Sequence, residues 1–325
     1  MTAPVEGERR PLELAFRHAT PDDLPVCASI WRSALNAYIV RLGQPEVPDE
    51  LGPITRLYGH LHATDPDRFV VATTPDPGMG PDGERVVGFT SAVVRDDVWF
   101  LSMLFVLPEA QGSGMGRALL ERVLPDDPAL RRAIGTDSAQ PISNALYASY
   151  GLVPRMPLLN LVGLPDRPEA FGELPSGVTA TAFDEIAAGP DGHRALVALV
   201  DGLDRRIATF THPADHRYLR AEGRRGWLYR GPDGTPAGYG YASEAGRAGP
   251  IAVDDPTLVA PVIGHLLRSV TPRGAFSIWL PGHADRAVVA VLRAGFRLEP
   301  FPVLLCWDRP PADFERYLPI SPGLL

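Results

Sequence analysis

The sequence predicts an α/β protein (an α+β mixed sheet) built in two domains, and three observations carry this prediction. Residues 99–124 have the pattern of a strand, a glycine-rich loop and a helix. A chain of 325 residues is long for one hydrophobic core, because domains commonly run about 100–200 residues. The order of elements in the first half recurs in outline in the second. We therefore expect an N-terminal domain at 11–163, a linker at 164–176, a C-terminal domain at 177–308 and a tail at 309–325.

The first half gives a complete set of elements from local signals. Apolar residues recur at helical spacing in two segments, and alternating or continuous apolar runs bounded by Gly, Pro and Asp indicate strands. A proline at residue 141 and a glycine at residue 151 mark the two ends of one helix. In chain order we expect a strand at 12–17, helices at 25–42 and 54–64, strands at 69–73, 85–94 and 99–106, a helix after 114, a strand at 132–136, a helix at 141–150 and a strand at 156–162.

The loop at residues 111–116, Gln-Gly-Ser-Gly-Met-Gly, is the most informative segment of the chain. Gly112, Gly114 and Gly116 let the backbone turn with its N–H groups free. Because the loop opens a helix, those amides and the positive end of the helix dipole favour an anion. A Walker-type phosphate loop is excluded, since no Gly-Lys-Ser/Thr follows.

Two alternatives for this loop stay open. A Rossmann turn requires Gly-x-Gly-x-x-Gly, and its third glycine would fall on Arg117 or Leu119, although Asp137 suits that fold. A glycine-rich turn without any ligand is the other alternative.

The loop resembles the Gln/Arg-x-x-Gly-x-Gly/Ala signature of the GNAT superfamily of acyl-CoA N-acyltransferases. The resemblance implies two tandem GNAT-like domains, each a twisted, mostly antiparallel sheet with helices on both faces and a splayed central strand pair. It also implies that acetyl-CoA, or another short acyl-CoA, is the cofactor, with its pyrophosphate on the loop amides. The cofactor-binding residues that it implies are Leu104, Phe105, Val106, Gln111, Gly112, Ser113, Gly114, Met115, Gly116, Arg117 and Asn144.

A second motif, Asn144-Ala-Leu-Tyr147 followed by Tyr150 and Gly151, resembles the final helix of that family. The resemblance implies that Tyr147 is a catalytic acid for the departing thiolate and that the Leu104 N–H contacts the thioester carbonyl. A phenol has a pKa near ~10, against ~8.5 for a thiol, so it can hydrogen-bond a developing thiolate. Tyr147 could instead close the helix onto the sheet, and Asn144 could be a capping amide.

The general base and the acceptor site are less well marked. Histone-type members of the family place a glutamate on the fourth strand, where this chain has Phe100. Asp137 is the candidate base, acting through a water, with a carboxylate that caps the next helix as the alternative. The candidate substrate-binding residues are Trp31, Tyr38, Phe100 and Ser102. Trp31 and Tyr38 lie seven apart on one helix face, which also suits core packing.

The pattern of the second half predicts a degenerate copy of the N-terminal domain. We expect strands at 178–183, 226–229, 236–243, 251–253, 276–280 and 301–307, and helices at 194–207, 258–270 and 285–294. Setting Leu266-Leu267 against Leu119-Leu120 puts Pro261 at the Gly114 position and Ile263 at the Gly116 position. Proline lacks an N–H and isoleucine avoids positive φ, so no cofactor is expected there.

Two further expectations concern residues outside these motifs. His212 and His216 lie four apart and are expected to be a polar surface pair, so no metal site is predicted. Cys27 and Cys306 are expected to be buried thiols.

Composition limits the class of partner. A formal charge of −8 and a pI near 5.5 argue against a nucleic-acid partner. Neither a signal peptide nor a membrane span is recognisable, so we expect no membrane partner and a cytoplasmic location.

The resemblance implies an N-acetyltransferase that moves an acetyl or short acyl group from acetyl-CoA to an amine of a small molecule by direct attack in a ternary complex. A non-catalytic acyl-CoA-binding sensor or assembly protein is one alternative, and a peptide or protein N-terminal acetyltransferase is another. The acceptor amine and the oligomeric state are not predicted.

Overall fold

The computed structural model describes residues 13–79 and 83–325, apart from the Met79 side chain. It divides the chain into two compact units. The first unit lies within residues 1–93 and 103–126, and the second comprises residues 94–102 and 127–325. These units do not coincide with the expected domains at 11–163 and 177–308, whose boundaries stay a prediction.

The elements follow the predicted order. The strands are β1 Ala15–His18, β2 Phe69–Pro75, β3 Glu84–Arg95, β4 Val98–Val106, β5 Arg131–Asp137, β6 Val153–Gly163, β7 Thr179–Ala182, β8 Arg225–Arg230, β9 Pro236–Ala242, β10 Arg247–Val253, β11 Phe276–Pro281, β12 Arg297–Leu298, β13 Val303–Trp307 and β14 Tyr317–Leu318. The helices are α1 Leu24–Ile39, α2 Gly52–Thr64, α3 Met115–Val123, α4 Pro141–Ala148, α5 Phe183–Ala187, α6 Gly192–Ile207, α7 Pro213–Ala221, α8 Val259–Ser269 and α9 Asp285–Arg293. Sequence patterns missed α5, α7, β12 and β14. Residue 12 of the first expected strand lies outside the described residues.

The first unit has an antiparallel sheet in which β2 pairs with both β1 and β3. Its core is aromatic: Phe69 and Phe89 stack with their ring centroids 5.9 Å apart, and Tyr58 meets Phe89 edge-on. The chain enters α1 through a capping box in which Asp23 accepts hydrogen bonds from the backbone N–H and the hydroxyl of Thr20. Arg17 adds a bidentate pair to the same carboxylate, at 2.7 and 2.9 Å.

The second unit has a mixed sheet in which a late strand lies between two early ones. β13 pairs antiparallel with β5 on one side and with β6 on the other, and β6 pairs in turn with β11. The sheet continues from β11 through β10, β9 and β8 to β7, with only the β11–β10 pair parallel among these. Strand pairing in this unit therefore crosses the expected linker at 164–176.

The C-terminal tail completes the second unit. β14 pairs antiparallel with β10, and Phe314 and Tyr317 are buried. Both cysteines, Cys27 and Cys306, are buried free thiols, as predicted. Among the residues described, no helix combines the length and apolar character needed to cross a membrane.

Candidate functional site

The glycine loop has the conformation that its sequence predicts. Gly112 and Gly114 have φ of +80° and +83°, and Gly114 is the N-cap of α3. Both glycines are exposed, and a Cβ built on either would have no described neighbour within 4 Å. The glycines are therefore required by backbone conformation, and the space around them is open to a ligand.

Two side chains fix the loop onto its own strand. The Gln111 amide donates to the carbonyl of Val106, the last residue of β4, at 3.1 Å. The Ser113 hydroxyl donates to the carbonyl of Ala110 at 2.7 Å. Met115 is buried beneath the loop, whereas Arg117 is exposed and Gly116 is half-buried. The loop is thus anchored from below with its outer surface accessible.

Gly88 of β3 allows α3 to lie close to the sheet. A Cβ at residue 88 would come within 2.8 Å of the Met115 sulfur, 3.2 Å of the Phe105 carbonyl oxygen and 3.3 Å of Leu119 Cδ1. Glycine here sets the position of the first turn of α3, and with it the loop. Sequence reasoning missed this residue, although a glycine inside a strand is a known sign of close backbone approach.

β4 carries the remaining residues expected to contact the cofactor. In the first unit Leu104 and Phe105 are half-buried and Val106 is buried. In the second unit β4 pairs in parallel with β5 over Val98–Leu101 and Arg131–Ile134, whereas β5 pairs with β13 as far as Asp137. Within the second unit, the described β4–β5 register thus ends at Leu101.

In the second unit Asp137 ends β5, Asn144 lies in the first turn of α4 and Tyr147 lies near the end of that helix. Asn144 donates to the backbone carbonyl of Asp137 at 3.2 Å. Its own carbonyl oxygen, Asn144 Oδ1, is buried with no hydrogen-bond partner in the described part of the chain. A buried amide oxygen of this kind has acceptor capacity left for an N–H donor of a ligand.

Tyr147 is buried, with 5% of its surface exposed. Burial raises the pKa of its phenol well above the usual value, and the neighbouring Cys306 of β13 raises that pKa further. The phenol is therefore protonated throughout the neutral range and is available as a hydrogen-bond donor.

Asp137 takes part in a local turn. One oxygen of its half-buried carboxylate accepts the backbone N–H of Ala139 at 2.8 Å, just before α4 begins. This contact is an Asx-type turn that precedes α4, whose N-cap is Gln140. The role of Asp137 as a base stays a prediction.

The expected acceptor-site residues have different surroundings. Trp31 and Tyr38 are half-buried on α1, whereas Phe100 is 1% and Ser102 is 8% exposed. The Ser102 hydroxyl has no hydrogen-bond partner among residues 13–79 and 83–325. Phe100 is thus a core residue of β4 that pairs with Ala133 of β5.

The corresponding segment of the second half has no such loop. α8 begins at Val259, so Pro261 already lies in the first turn of the helix. Between Asp255 and Ile263, where every residue is described, none has a positive φ. This agrees with the sequence-based expectation of a segment that lacks the phosphate-binding geometry.

Comparison with known proteins agrees with this fold and loop. Residues 36–152 match the model of the acetyltransferase (GNAT) family, so the chain carries a GNAT acetyltransferase domain, and this family uses acyl-CoA. No curated protein sequence matches the chain.

Several solved structures share the fold of this chain over nearly its whole length. A putative acetyltransferase from Pyrococcus horikoshii is 16% identical, with a TM-score of 0.71 over 98% of this chain and 99% of that one. A GCN5-related N-acetyltransferase from Sphaerobacter thermophilus is 20% identical, with a TM-score of 0.59 over 93% and 98% of the two chains. A tandem GNAT protein from the clavulanic acid biosynthesis pathway is 19% identical, with a TM-score of 0.52 over 92% and 99%. At these identities the likeness shows the fold.

Proposed function

We propose that this chain is an N-acetyltransferase that transfers an acetyl, or other short acyl, group from its coenzyme A thioester to an amine of a small molecule. The observation that carries the proposal is the glycine loop, in which Gly112 and Gly114 hold positive φ at the N-terminus of α3. Exposed amides at a helix N-terminus form an anion site, which suits a pyrophosphate.

In this proposal the residues that hold the cofactor are the loop residues 111–117, the strand residues 104–106 and Asn144. Two features of the described residues support it: the space left open around the loop glycines, and Oδ1 of Asn144, which has no hydrogen-bond partner among them and would accept an amide N–H of the pantetheine arm. Bound acetyl-CoA supplies an activated thioester, whose carbon–sulfur bond is exchanged for a carbon–nitrogen bond to the amine.

Tyr147 would donate a hydrogen bond at the thiol sulfur. Because burial raises the pKa of its phenol, the donor stays protonated throughout the neutral range. A positioned acid of this kind typically contributes ~10²–10⁴-fold in rate.

The acceptor amine has to arrive without its proton. Phe100 is buried at the position where the family resemblance places a glutamate base. The candidate base is therefore Asp137, acting through a water. An alkyl amine with a pKa near ~10.4 is mostly protonated at pH 7, so an amine of lower pKa needs less help. We therefore expect the best acceptors to be amines of low basicity, such as aryl amines, hydrazines or α-amines.

The same absence of a strand glutamate favours a second candidate function, a non-catalytic acyl-CoA-binding sensor. The two functions share the loop and differ in turnover. A binding assay followed by an activity assay separates them.

The binding assay is calorimetric titration of acetyl-CoA into wild type, Gly114→Pro and Gly43→Pro. Gly43 is a matched control, because its φ is +75° and it also has no described neighbour within 4 Å of a Cβ. Proline cannot reach either φ, and at residue 43 it also removes the N–H that donates to the Val40 carbonyl, so Gly43→Pro is expected to lose stability for a reason unrelated to the loop. We expect acetyl-CoA binding to weaken at least about tenfold only in Gly114→Pro, equivalent to ~1.4 kcal/mol. Equal binding by Gly114→Pro and wild type would exclude the loop as the cofactor site.

The activity assay is thiol release from acetyl-CoA against a panel of amines, for wild type, Tyr147→Phe and Asp137→Asn. We expect kcat to fall ~10²–10⁴-fold in Tyr147→Phe, with the KM for acetyl-CoA little changed. Binding without turnover on any amine would support the sensor instead.

A further inference from the structure

A cluster of metal-ligating side chains lies in the second unit, outside the residues proposed for acyl transfer. Asp204 is on α6, His212 precedes α7 as its N-cap, and His216 lies one turn inside α7. All three are buried, with exposures of 0%, 0% and 6%. The surface histidine pair expected from the sequence is therefore wrong.

One donor atom of each residue lies close to the donor atoms of the other two. His216 Nε2 lies 2.9 Å and His212 Nε2 lies 3.3 Å from the same oxygen, Asp204 Oδ2. The three donor atoms all lie within 4.8 Å of one another. In a tetrahedral zinc site with bonds of ~2.0–2.1 Å, donor atoms stand about 3.3–3.4 Å apart. Both distances to the Asp204 oxygen are thus near the spacing of ligands around one ion.

The atoms of these residues that face away from the centre have outer partners. The Tyr239 hydroxyl donates to Asp204 Oδ1 at 2.6 Å, and the Tyr241 hydroxyl lies 2.9 Å from His216 Nδ1. Metal-ligating histidines and carboxylates characteristically have such outer partners, which fix their orientation.

His212 Nδ1 is the exception within the described residues, since it is buried without a hydrogen-bond partner. The nearest carboxylate oxygen, from Asp215, lies 3.8 Å away and is held by a bidentate contact from Arg95. If Nε2 ligates an ion, Nδ1 carries the proton and faces that carboxylate. Nε2 of the same ring lies 3.3 Å from Asp204 Oδ2 and 3.3 Å from the Tyr239 hydroxyl, so an ion would bind on the side of the ring that already faces polar groups.

A pocket borders one member of the cluster. His216 lines a pocket of about 280 Å³, open volume included, whose other polar lining residues are Asp201, Arg220 and Tyr241. A site that is loaded after folding needs a route of entry for the ion, and this pocket is the candidate.

We propose that Asp204, His212 and His216 bind a divalent transition-metal ion of the Zn²⁺ type. Two imidazole nitrogens and one carboxylate oxygen suit Zn²⁺, Co²⁺ or Ni²⁺ better than Mg²⁺ or Ca²⁺, which prefer oxygen ligands throughout. The proposal revises the expectation that the chain holds no metal, and it does not depend on the proposed acyl transfer.

The test is titration of the chelator-treated full-length protein with Co²⁺, read by visible absorption, followed by competition with Zn²⁺. We expect one Co²⁺ per chain with an intense spectrum of low coordination number, displaced by one equivalent of Zn²⁺. The spectrum should be lost in His216→Ala and in Asp204→Asn. Tyr241→Phe, which removes only an outer partner, should bind Co²⁺ ~10–100-fold more weakly.

His265→Ala is the matched control, since His265 Nδ1 lies 2.9 Å from the Tyr229 hydroxyl just as His216 Nδ1 lies 2.9 Å from that of Tyr241. This variant should keep the Co²⁺ spectrum of wild type. A wild-type protein that binds no stoichiometric Co²⁺ or Zn²⁺ would overturn the proposal and leave the cluster as a metal-free hydrogen-bond network. Metal bound equally well by folded His216→Ala would overturn it too.

Discussion

Replacing Gly88 by alanine tests how closely α3, and therefore the loop, depends on the strand beneath it. The new methyl group would stand 2.8 Å from the Met115 sulfur and 3.2 Å from the Phe105 carbonyl oxygen. The sulfur belongs to a flexible side chain and can move, whereas the carbonyl belongs to the backbone of β4. Gly88→Ala should therefore displace the Met115 side chain in the first turn of α3 and strain the contact with β4.

These contacts bound the loss in the free energy of unfolding that Gly88→Ala should cause. Overpacking of a core by one methyl group typically costs ~1–3 kcal/mol, and the mobility of Met115 places this case in the lower half of that range, about 1–2 kcal/mol. On a Met115→Ala background the shortest contact is absent and the methyl refills part of the space. There the same substitution should cost less than about 1 kcal/mol, giving a coupling of roughly 1 kcal/mol between the two sites.

The assay is urea denaturation of the four proteins of this cycle, with acetyl-CoA affinity measured on those that fold. Gly59→Ala is the control, because Gly59 lies inside α2 and has no described neighbour within 4 Å of a Cβ. That variant should gain roughly 0.5–1 kcal/mol from the better helix propensity of alanine. If Gly88→Ala costs the same with and without the Met115 side chain, the close packing inferred here is refuted.

Three further predictions concern stability. Arg95→Met should lower the free energy of unfolding by ~3–5 kcal/mol, because Asp215 is 1% exposed and would lose a bidentate partner at 2.8 Å. In urea denaturation, the Arg95→Met/Asp215→Leu double variant should recover most of this loss. Tyr58→Phe should raise the free energy of unfolding by about 1 kcal/mol, since the Tyr58 hydroxyl is buried without a hydrogen-bond partner in the described ranges. A free energy of unfolding that falls by the same amount would contradict this prediction. Burial opposes ionisation of Asp23, but the hydrogen bonds from Arg17 and Thr20 lower its pKa from 3.8 to about 2. The Asp23 carboxylate should thus contribute about 1–2 kcal/mol to the free energy of unfolding above pH 4, and this contribution should be lost as the pH falls towards 2. Acid denaturation of Asp23→Asn should lack this pH dependence.

Much of the proposed acyl-transfer site was predictable because its signals are local. The positive φ of Gly112 and Gly114 follows from their place between a strand and a helix, and α4 begins at Pro141 as its cap signals indicate. Burial of Asn144 Oδ1 was not predictable, since it depends on what surrounds the start of α4.

The sequence by itself determined the order of the strands and helices other than α5, α7, β12 and β14, together with the glycine loop and its family resemblance, because periodicity, caps and turn residues act over a few neighbouring positions. Only the tertiary structure decided which distant segments meet. It put β13 between β5 and β6, a pairing that no local pattern encodes. It also buried His212 and His216 against Asp204: spacing puts the two histidines on one helix face, but burial depends on Tyr239 and Tyr241 of β9, more than twenty residues away.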